Sequence, residues 1–300
     1  MAAVVSPESY NARWPAGRGR SSGVRGMGAQ HSRISVVITS YNHRAYLIEA
    51  IESVLGQTLV PDEIIVADDA SSDGSQETIR AYERRWPGLV KGIFQERNCG
   101  IPANRNSALR AVTGDYVGIL DGDDCFLPHK LERQMSALRM FPDAAGVYGN
   151  FRVVDPGRRP VRLKWSQPQP SGDVFLDVAK CKTGLLRTLL ADYRAVQAAG
   201  FMDERFRRFD GLWLTIKLAA TCKLVYVDEV LLEKRDHPAS DSKTIGVDER
   251  RQDLTGIYRE LLPMLGSRAS EPERGEIVGA WRRVLGAGAD AMAAERWAAT

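Results

Sequence analysis

From Ile34 onward, short β-branched runs alternate with amphipathic stretches, and this rhythm constrains the fold more than any other feature of the sequence. Ile34–Thr39 predicts a buried strand. Tyr46–Leu55 then predicts a helix with Leu47, Ile48, Ile51, Val54 and Leu55 on one face. Glu63–Ala67 predicts a second strand, and Asp73–Trp86 a helix turning Ile79 and Tyr82 inward and stopped by Pro87-Gly88. Val90–Phe94, Tyr116–Leu120 and Ala145–Tyr148 read as further strands. Between them lie predicted helices at Ala103–Val112 and Leu127–Met140, the latter with Pro128 in its first turn and apolar residues at 127, 131, 135 and 138. The expected class is α/β, with a doubly wound, mostly parallel sheet flanked by helices.

The rhythm breaks at Asp155. Residues 155–173 carry Pro156, Pro160, Pro168 and Pro170 and read as a long loop. Shorter elements follow: helices at Asp192–Ala199 and Leu212–Thr221 and a strand at Leu224–Val227. Residues 249–265 form an amphipathic pattern with Leu254, Ile257, Leu261 and Leu265 on one face, and a further helical segment spans 273–297. The expected divisions are a disordered basic tail (1–32), a first half-domain (33–154), a second half of the same domain (155–245) and a C-terminal helical extension (246–300).

Charge is distributed unevenly. The 300 residues hold 41 Lys+Arg and 38 Asp+Glu. Residues 1–33 contain five Arg and a single acid, Glu8, so the remainder is nearly neutral. An excess of this size does not point to nucleic acid. The tail reads either as a solvated segment or as a basic arm suited to peripheral contact with an anionic membrane face. No run of ~18 uncharged apolar residues suggests a transmembrane helix. No apolar signal-like run opens the chain. Cysteines 99, 125, 181 and 222 are scattered without a CxxC pair, which suggests reduced thiols and a cytoplasmic setting.

Ligands in open α/β sheets bind beyond the carboxyl ends of the strands. Four such ends carry polar clusters: Thr39-Ser40-Tyr41-Asn42; Asp68-Asp69 running to Asp73-Gly74; Asn98-Cys99-Gly100 leading into Asn104-Arg105-Asn106; and Asp121-Gly122-Asp123-Asp124. Carboxylates crowded as in the last cluster raise one another's pKa unless a cation intervenes. A hard divalent ion with oxygen ligands would relieve this, and an Asp-rich turn capping the next helix is the plainer alternative. Helix capping accounts for Asp73 but not for Asp69. Tyr41 reads either as a packed aromatic or as a ring that stacks on a base. No G-x-G-x-x-G follows the first strand and no GxxxxGK[ST] occurs anywhere, which disfavours a dinucleotide oxidoreductase and excludes a P-loop enzyme.

The segments ISVVITSYN (34–42), IIVADDASSDG (64–74), NCGIPANRN (98–106), GDYVGILDGDD (114–124) and LPHKLERQ (127–134), in this order, resemble the family 2 glycosyltransferases of the GT-A fold. The likeness continues more weakly through AGFMDE (199–204), KLAATCKLVYVDE (217–229) and KRDHPASDS (234–242). It implies a hexosyltransferase-type enzyme acting in polysaccharide, glycolipid or glycosylated-metabolite synthesis. Such an enzyme moves a sugar from a nucleoside-diphosphate donor, usually a UDP- or dTDP-sugar, to an acceptor hydroxyl with inversion and with Mn²⁺ or Mg²⁺. Residues 33–154 would then bind the donor and 155–245 the acceptor.

Carried over by motif, Thr39 and Tyr41 hold the base and Asp69 accepts its ring N–H. Arg105, Asp121 and Gly122 lie along the donor. Asp123 and Asp124 hold the metal, with His237 of the R-x-H-x-x-S pattern reaching the metal or the diphosphate. The sequence departs from the family where the catalytic base is expected. Gly211 occupies that position, which leaves Asp210 as the candidate base and a non-catalytic nucleotide-sugar-binding protein as the second reading. Lys164-Trp165, Arg158-Arg159 and Thr183–Arg187 are candidates for the acceptor pocket, with Trp165 either stacking on a sugar or anchoring its loop. The acceptor and the oligomeric state are not specified by the sequence.

Overall fold

The computed structural model describes residues 32–286 except 182, 183, 239, 241, 242, 244 and 245, together with 292 and 293. The predicted tail, up to residue 31, and most of the segment after Gly286 lie outside the described residues. The elements run β1 (Ile34–Ser40), α1 (Arg44–Leu55), β2 (Glu63–Asp68), α2 (Ser75–Arg85), β3 (Val90–Phe94), α3 (Ile101–Arg110), β4 (Tyr116–Asp121), β5 (Cys125–Phe126), α4 (Lys130–Met140), β6 (Ala144–Val154) and β7 (Pro160–Leu163). They continue as α5 (Phe175–Ala179), α6 (Leu185–Thr188), β8 (Leu190–Asp192), α7 (Tyr193–Ala198), α8 (Asp210–Thr221), β9 (Lys223–Arg235), α9 (Val247–Leu265) and α10 (Glu271–Leu285).

The strands form one sheet in the order β3-β2-β1-β4-β8-β6-β9-β5, with β7 paired to β6. The β3-β2-β1-β4 ladder is parallel. Beyond it the sheet is mixed: β8 runs antiparallel to both β4 and β6, while β6 and β9 are parallel. Strand order reverses between β1 and β4, and the register there sets Thr39 beside Asp121. Both faces of the parallel half are covered. Val36 and Ile38 of β1 pack with Leu47 and Ile51 of α1 and Leu131 of α4, while Val37 joins the layer holding Leu109, Ile216 and Trp281. Burial on both faces explains why these strands are continuously apolar rather than alternating.

Three differences from the sequence expectation have clear causes. The Pro-rich stretch after Asp155 is not all loop, because Pro160–Leu163 forms β7. As an outer strand paired only to β6, it can tolerate a proline. The strand expected at Leu224–Val227 extends to Arg235, since charged residues interrupt its apolar run: Asp228 and Glu229 on accessible backbone, and Glu233 and Arg235 buried in ion pairs with distant segments. The short elements β5, α5, α6 and β8 were not anticipated; each is held by tertiary pairing rather than by its own periodicity. At the C-terminal end α9 and α10 pack into the same core. Trp281 stacks on Tyr258 with ring centroids 4.9 Å apart and donates from Nε1 to the Ala179 carbonyl at 2.7 Å. A Ser270–Glu273 capping box starts α10.

Candidate active site

The loops after β1 and β2 are stitched into one edge. Asn42 and Ala70 both adopt positive φ, 52° and 61°, a conformation that costs energy in non-glycine residues and is kept where surroundings enforce it. The enforcing bonds are visible. The Asn42 amide donates to Ser71 Oγ at 2.8 Å, the Ser72 amide donates to Asn42 Oδ1 at 2.9 Å, and the Asp69 amide donates to the Ser40 carbonyl at 2.9 Å. Tyr41 stands on this edge with 45% of its surface exposed.

Asp68 is spent within its own loop, accepting from Ser71 and Gln76. Asp69 instead reaches the loop after β3, where its carboxylate accepts from the Cys99 amide at 2.7 Å and the Gly100 amide at 2.9 Å. Asp73 holds the start of α2 and also accepts from the Arg44 amide at 2.8 Å.

These edges open into a cavity of about 550 Å³. Thr39, Tyr41, Asp69, Arg105, Asp121, Gly122, Asp123, Asp124 and Asp210 all line it. Gly122 is a steric requirement: its amide donates to the Thr39 carbonyl at 2.8 Å, and a Cβ there would sit 2.7 Å from that oxygen. The tight turn brings Asp121, Asp123 and Asp124 together, with one ligand oxygen from each within 4.8 Å of the others.

The acids are threaded by arginines. Arg105 donates to Asp210 at 2.7 Å and, through its other terminal nitrogen, to Asp121. Arg187 donates to Asp121 at 2.5 Å and to Asp124 at 2.7 Å. Charges therefore alternate as Asp210, Arg105, Asp121, Arg187, Asp124. Burial alone would raise the Asp121 carboxyl, but Arg105 and Arg187 outweigh it and hold the group well below the usual carboxylate range. Asp124 has the opposite fate: burial and the adjacent Asp123 charge push it up to about 8. Three carboxyls remain crowded in the Asp121–Asp124 turn, and a cation among them would relieve their mutual repulsion. An all-oxygen donor set of this kind fits a hard divalent cation.

The end of β9 closes the turn from behind. The Arg235 amide donates to Asp124 at 2.9 Å, and its guanidinium reaches the Asp123 carbonyl, the Pro156 carbonyl and Glu49. His237 Nε2 lies 3.0 Å from Asp123 Oδ2, so it meets the acid cluster through Asp123. Its ring packs against Tyr46 and His43 at 4.8 and 5.3 Å between centroids.

Asp210 begins α8 and is only 2% exposed. Its Oδ2 is taken by Arg105, whereas Oδ1 accepts no hydrogen bond among the described residues. The departure at Gly211 has a packing counterpart. A Cβ at 211 would lie 2.8 Å from Leu186 Cδ2, so α6 occupies the space that a larger residue here would need.

Sequence reasoning missed part of this constellation. Arg187 lies within a stretch expected to face the acceptor pocket, but its guanidinium bridges Asp121 and Asp124. Lys130 was not singled out. It is fully buried, donates to Gln134 Oε1 at 2.7 Å and lies 4.2 Å from the Phe126 ring centroid. Gln134 in turn donates to the carbonyls of Val147 and Thr188, fixing the end of α6 next to Arg187. The available signal was a polar i, i+4 pair inside the apolar stripe of α4. Trp165 resolves as an anchor, with its ring edge-on to Tyr148, Phe151 and Tyr226. Arg158 and Arg159 pair with Glu233 and Asp155 and do not line the cavity. Thr183 lies outside the described residues.

Residues 35–193 match the family model for glycosyl transferase family 2. The chain belongs to this family. An uncharacterized glycosyltransferase of Nostoc sp. is 39% identical over 123 residues, covering 41% of this chain and 38% of that protein. EpsE of Bacillus subtilis, named as a glycosyltransferase, is 34% identical over 177 residues, covering 57% of this chain and 64% of EpsE. In each case the match spans less than two thirds of the relative.

Among solved structures, Staphylococcus aureus TarS in complex with UDP-GlcNAc superposes with a TM-score of 0.62 at 16% identity, over 87% of this chain and 83% of that one. The mannosyltransferase PcManGT of Pyrobaculum calidifontis, in complex with GDP-Man and Mn²⁺, superposes at 0.56 and 19%, over 90% and 75%. At these identities the likeness establishes the GT-A fold of this family 2 member and nothing finer. No helix among the described residues is long and apolar enough to cross a membrane.

Proposed function

We propose that this chain transfers a sugar from a nucleoside-diphosphate sugar, of the UDP or dTDP type, to an acceptor hydroxyl with inversion and with the help of Mn²⁺ or Mg²⁺. The observation that carries the proposal is the alternating series Asp210–Arg105–Asp121–Arg187–Asp124 at the switch point of the sheet, beside the edge formed by Tyr41 and Asp69. Tyr41 would cover the base. Asp69 would accept a pyrimidine N–H on lone pairs left over from Cys99 and Gly100, since a carboxylate has about four acceptor sites. Asp121, Asp123 and Asp124, with His237 behind Asp123, would hold the ion. When bound, the ion would stabilise charge growing on the diphosphate as the sugar–phosphate bond breaks.

The remaining work falls to side chains. Arg105 holds Asp210 in place while neutralising Asp121. The free Oδ1 of Asp210 would accept the proton of the acceptor hydroxyl as it attacks the anomeric carbon. The Gly at 211 is no obstacle to this role, because the acid one residue earlier already faces the cavity. The test is a panel of nucleotide sugars with and without Mn²⁺, read by thermal shift and by nucleoside diphosphate release. Stabilisation by at least one donor, with metal-dependent release, is expected. No stabilisation by any nucleotide would refute the proposal. Binding without turnover across donors and acceptors would favour a non-catalytic nucleotide-sugar-binding role.

A further inference from the structure

The second half of the sheet presents a different surface to the same cavity. Val153 on β6 is in register with Arg162 on β7 and with Lys234 on β9. Because side chains alternate across a strand, these three leave the sheet on one face as a row. Two residues back, Phe151 is in register with Leu232, and its carbonyl accepts from the Lys164 amide at 2.9 Å. All six residues line the cavity. The result is an apolar floor of Phe151, Val153 and Leu232 with Arg162, Lys164 and Lys234 around it. Strand spacing sets the backbones of Arg162 and Lys234 roughly 10 Å apart.

The opposite face of the same strands shows what compensated cations look like here. Arg152 and Arg158 both pair with Glu233, Arg158 at 2.5 Å. On the cavity face Arg162 and Lys234 make no hydrogen bond or ion pair with any described residue. Asp236, the acid that follows on this side, is paired with Lys243 at 2.9 Å. Burial lowers the Lys164 ammonium below its ordinary range, and Arg162, Arg187 and Lys234 add to this, so like charges crowd the rim.

The rim also has a definite place. The turn holding Asp123 and Asp124 leads into β5, which pairs with β9 at Cys125 and Glu233, so Lys234 stands next to the acid cluster, with Val153 and then Arg162 on the strands beyond it. The cations therefore lie across the acids from Tyr41 and Asp69, away from the end that would take the base. We infer that this rim binds an anionic group, phosphate or carboxylate, carried by the acceptor beside the hydroxyl that receives the sugar. The inference rests on the glycosyltransferase reading. An Arg fork beside two ammonium groups suits such oxyanions, and the apolar floor strengthens the attraction by limiting water.

The test compares wild type with the Arg162→Gln/Lys234→Gln double variant by calorimetric titration. The probes are oligomeric glycerol phosphate, a glucuronate tetrasaccharide, a neutral glucose tetrasaccharide, and UDP, dTDP and GDP with Mn²⁺. At least one anionic probe should bind wild type, and about tenfold or more weaker to the variant, as expected for losing charge-assisted bonds. The neutral sugar should not show this loss. Whichever anionic probe responds identifies phosphate or carboxylate as the source. An equal loss of nucleotide affinity in the variant would assign the rim to the donor diphosphate and overturn the inference. So would failure of both anionic probes to bind a wild type that binds nucleotide. Failure of every nucleotide to bind wild type would defeat the enzyme reading and the acceptor assignment with it, and the nucleotide titration alone would reveal it. A melting curve of the variant confirms that it is folded.

Discussion

The two halves of the sheet hold their functional side chains in different ways. In the β1–β4 half the strands are apolar through their middles, and the candidate site residues Tyr41, Asp69, Asp121, Asp123 and Asp124 sit at or just past strand ends. In the β6–β9 half the charged groups lie within or immediately beside strands, and the pleat sorts them, with Arg152 and Glu233 on one face and Arg162 and Lys234 on the other. A parallel sheet covered on both faces leaves only its ends for chemistry. A sheet with one face open to a cavity can use that face. The comparison teaches that the same cavity is built by two rules, backbone termination at the acid end and side-chain alternation at the basic end.

The sharpest test of the strand-end rule is Asp123→Ala. It should lower metal-dependent turnover by about 100-fold or more, with a melting temperature close to wild type because Asp123 borders the cavity rather than the core. Retained turnover would break the assignment of metal to this turn. Asp210→Asn keeps the shape and an oxygen facing Arg105 but removes the base. Its kcat should fall by roughly 10²–10⁴ with donor affinity little changed, and an unchanged kcat would move the base elsewhere.

Gly122→Ala probes the backbone itself. The added Cβ would meet the Thr39 carbonyl, and a loss of about 1–3 kcal/mol in denaturant unfolding is expected from overpacking. A neutral result would mean that the turn has more room than its geometry indicates.

The smallest effect concerns Lys130, which ties α4 to the second half. Burial pushes its ammonium down to about 7, against an ordinary 10.5. Between these values the unfolded chain binds more protons than the folded one, so this group makes stability rise with pH across that window. The slope should be at most roughly 1.4 kcal/mol per pH unit. Lys130→Met should flatten the dependence, measured as unfolding free energy at several pH values. An unchanged slope would show that the group is not the source.

Much of the acid end of the cavity was legible because its signals are local. A β-branched run followed by Thr-Ser-Tyr-Asn or Asp-Gly-Asp-Asp announces both the strand and its active end within a few residues. The fold class and family followed from the order of such segments, and residues 35–193 match the family model. Position also marked Asp73 as a holder of its helix start, although its bond from the Arg44 amide was not legible.

What the sequence could not convey were relations between distant segments. Arg105 joins Asp121 to Asp210 across more than a hundred residues, and nothing near Arg187 in the chain marks it as the bridge between Asp121 and Asp124. The sequence shows only a small residue at 211, and only the structure shows Leu186 packed against it. The basic rim is the extreme case, since Arg162 and Lys234 become neighbours only through their shared register with Val153. Hydrophobic periodicity and turn chemistry act over a few residues and are written directly in the chain. Charge compensation depends on distance in space, so only the tertiary structure decided which acids are paired, which cations are not, and where the two meet.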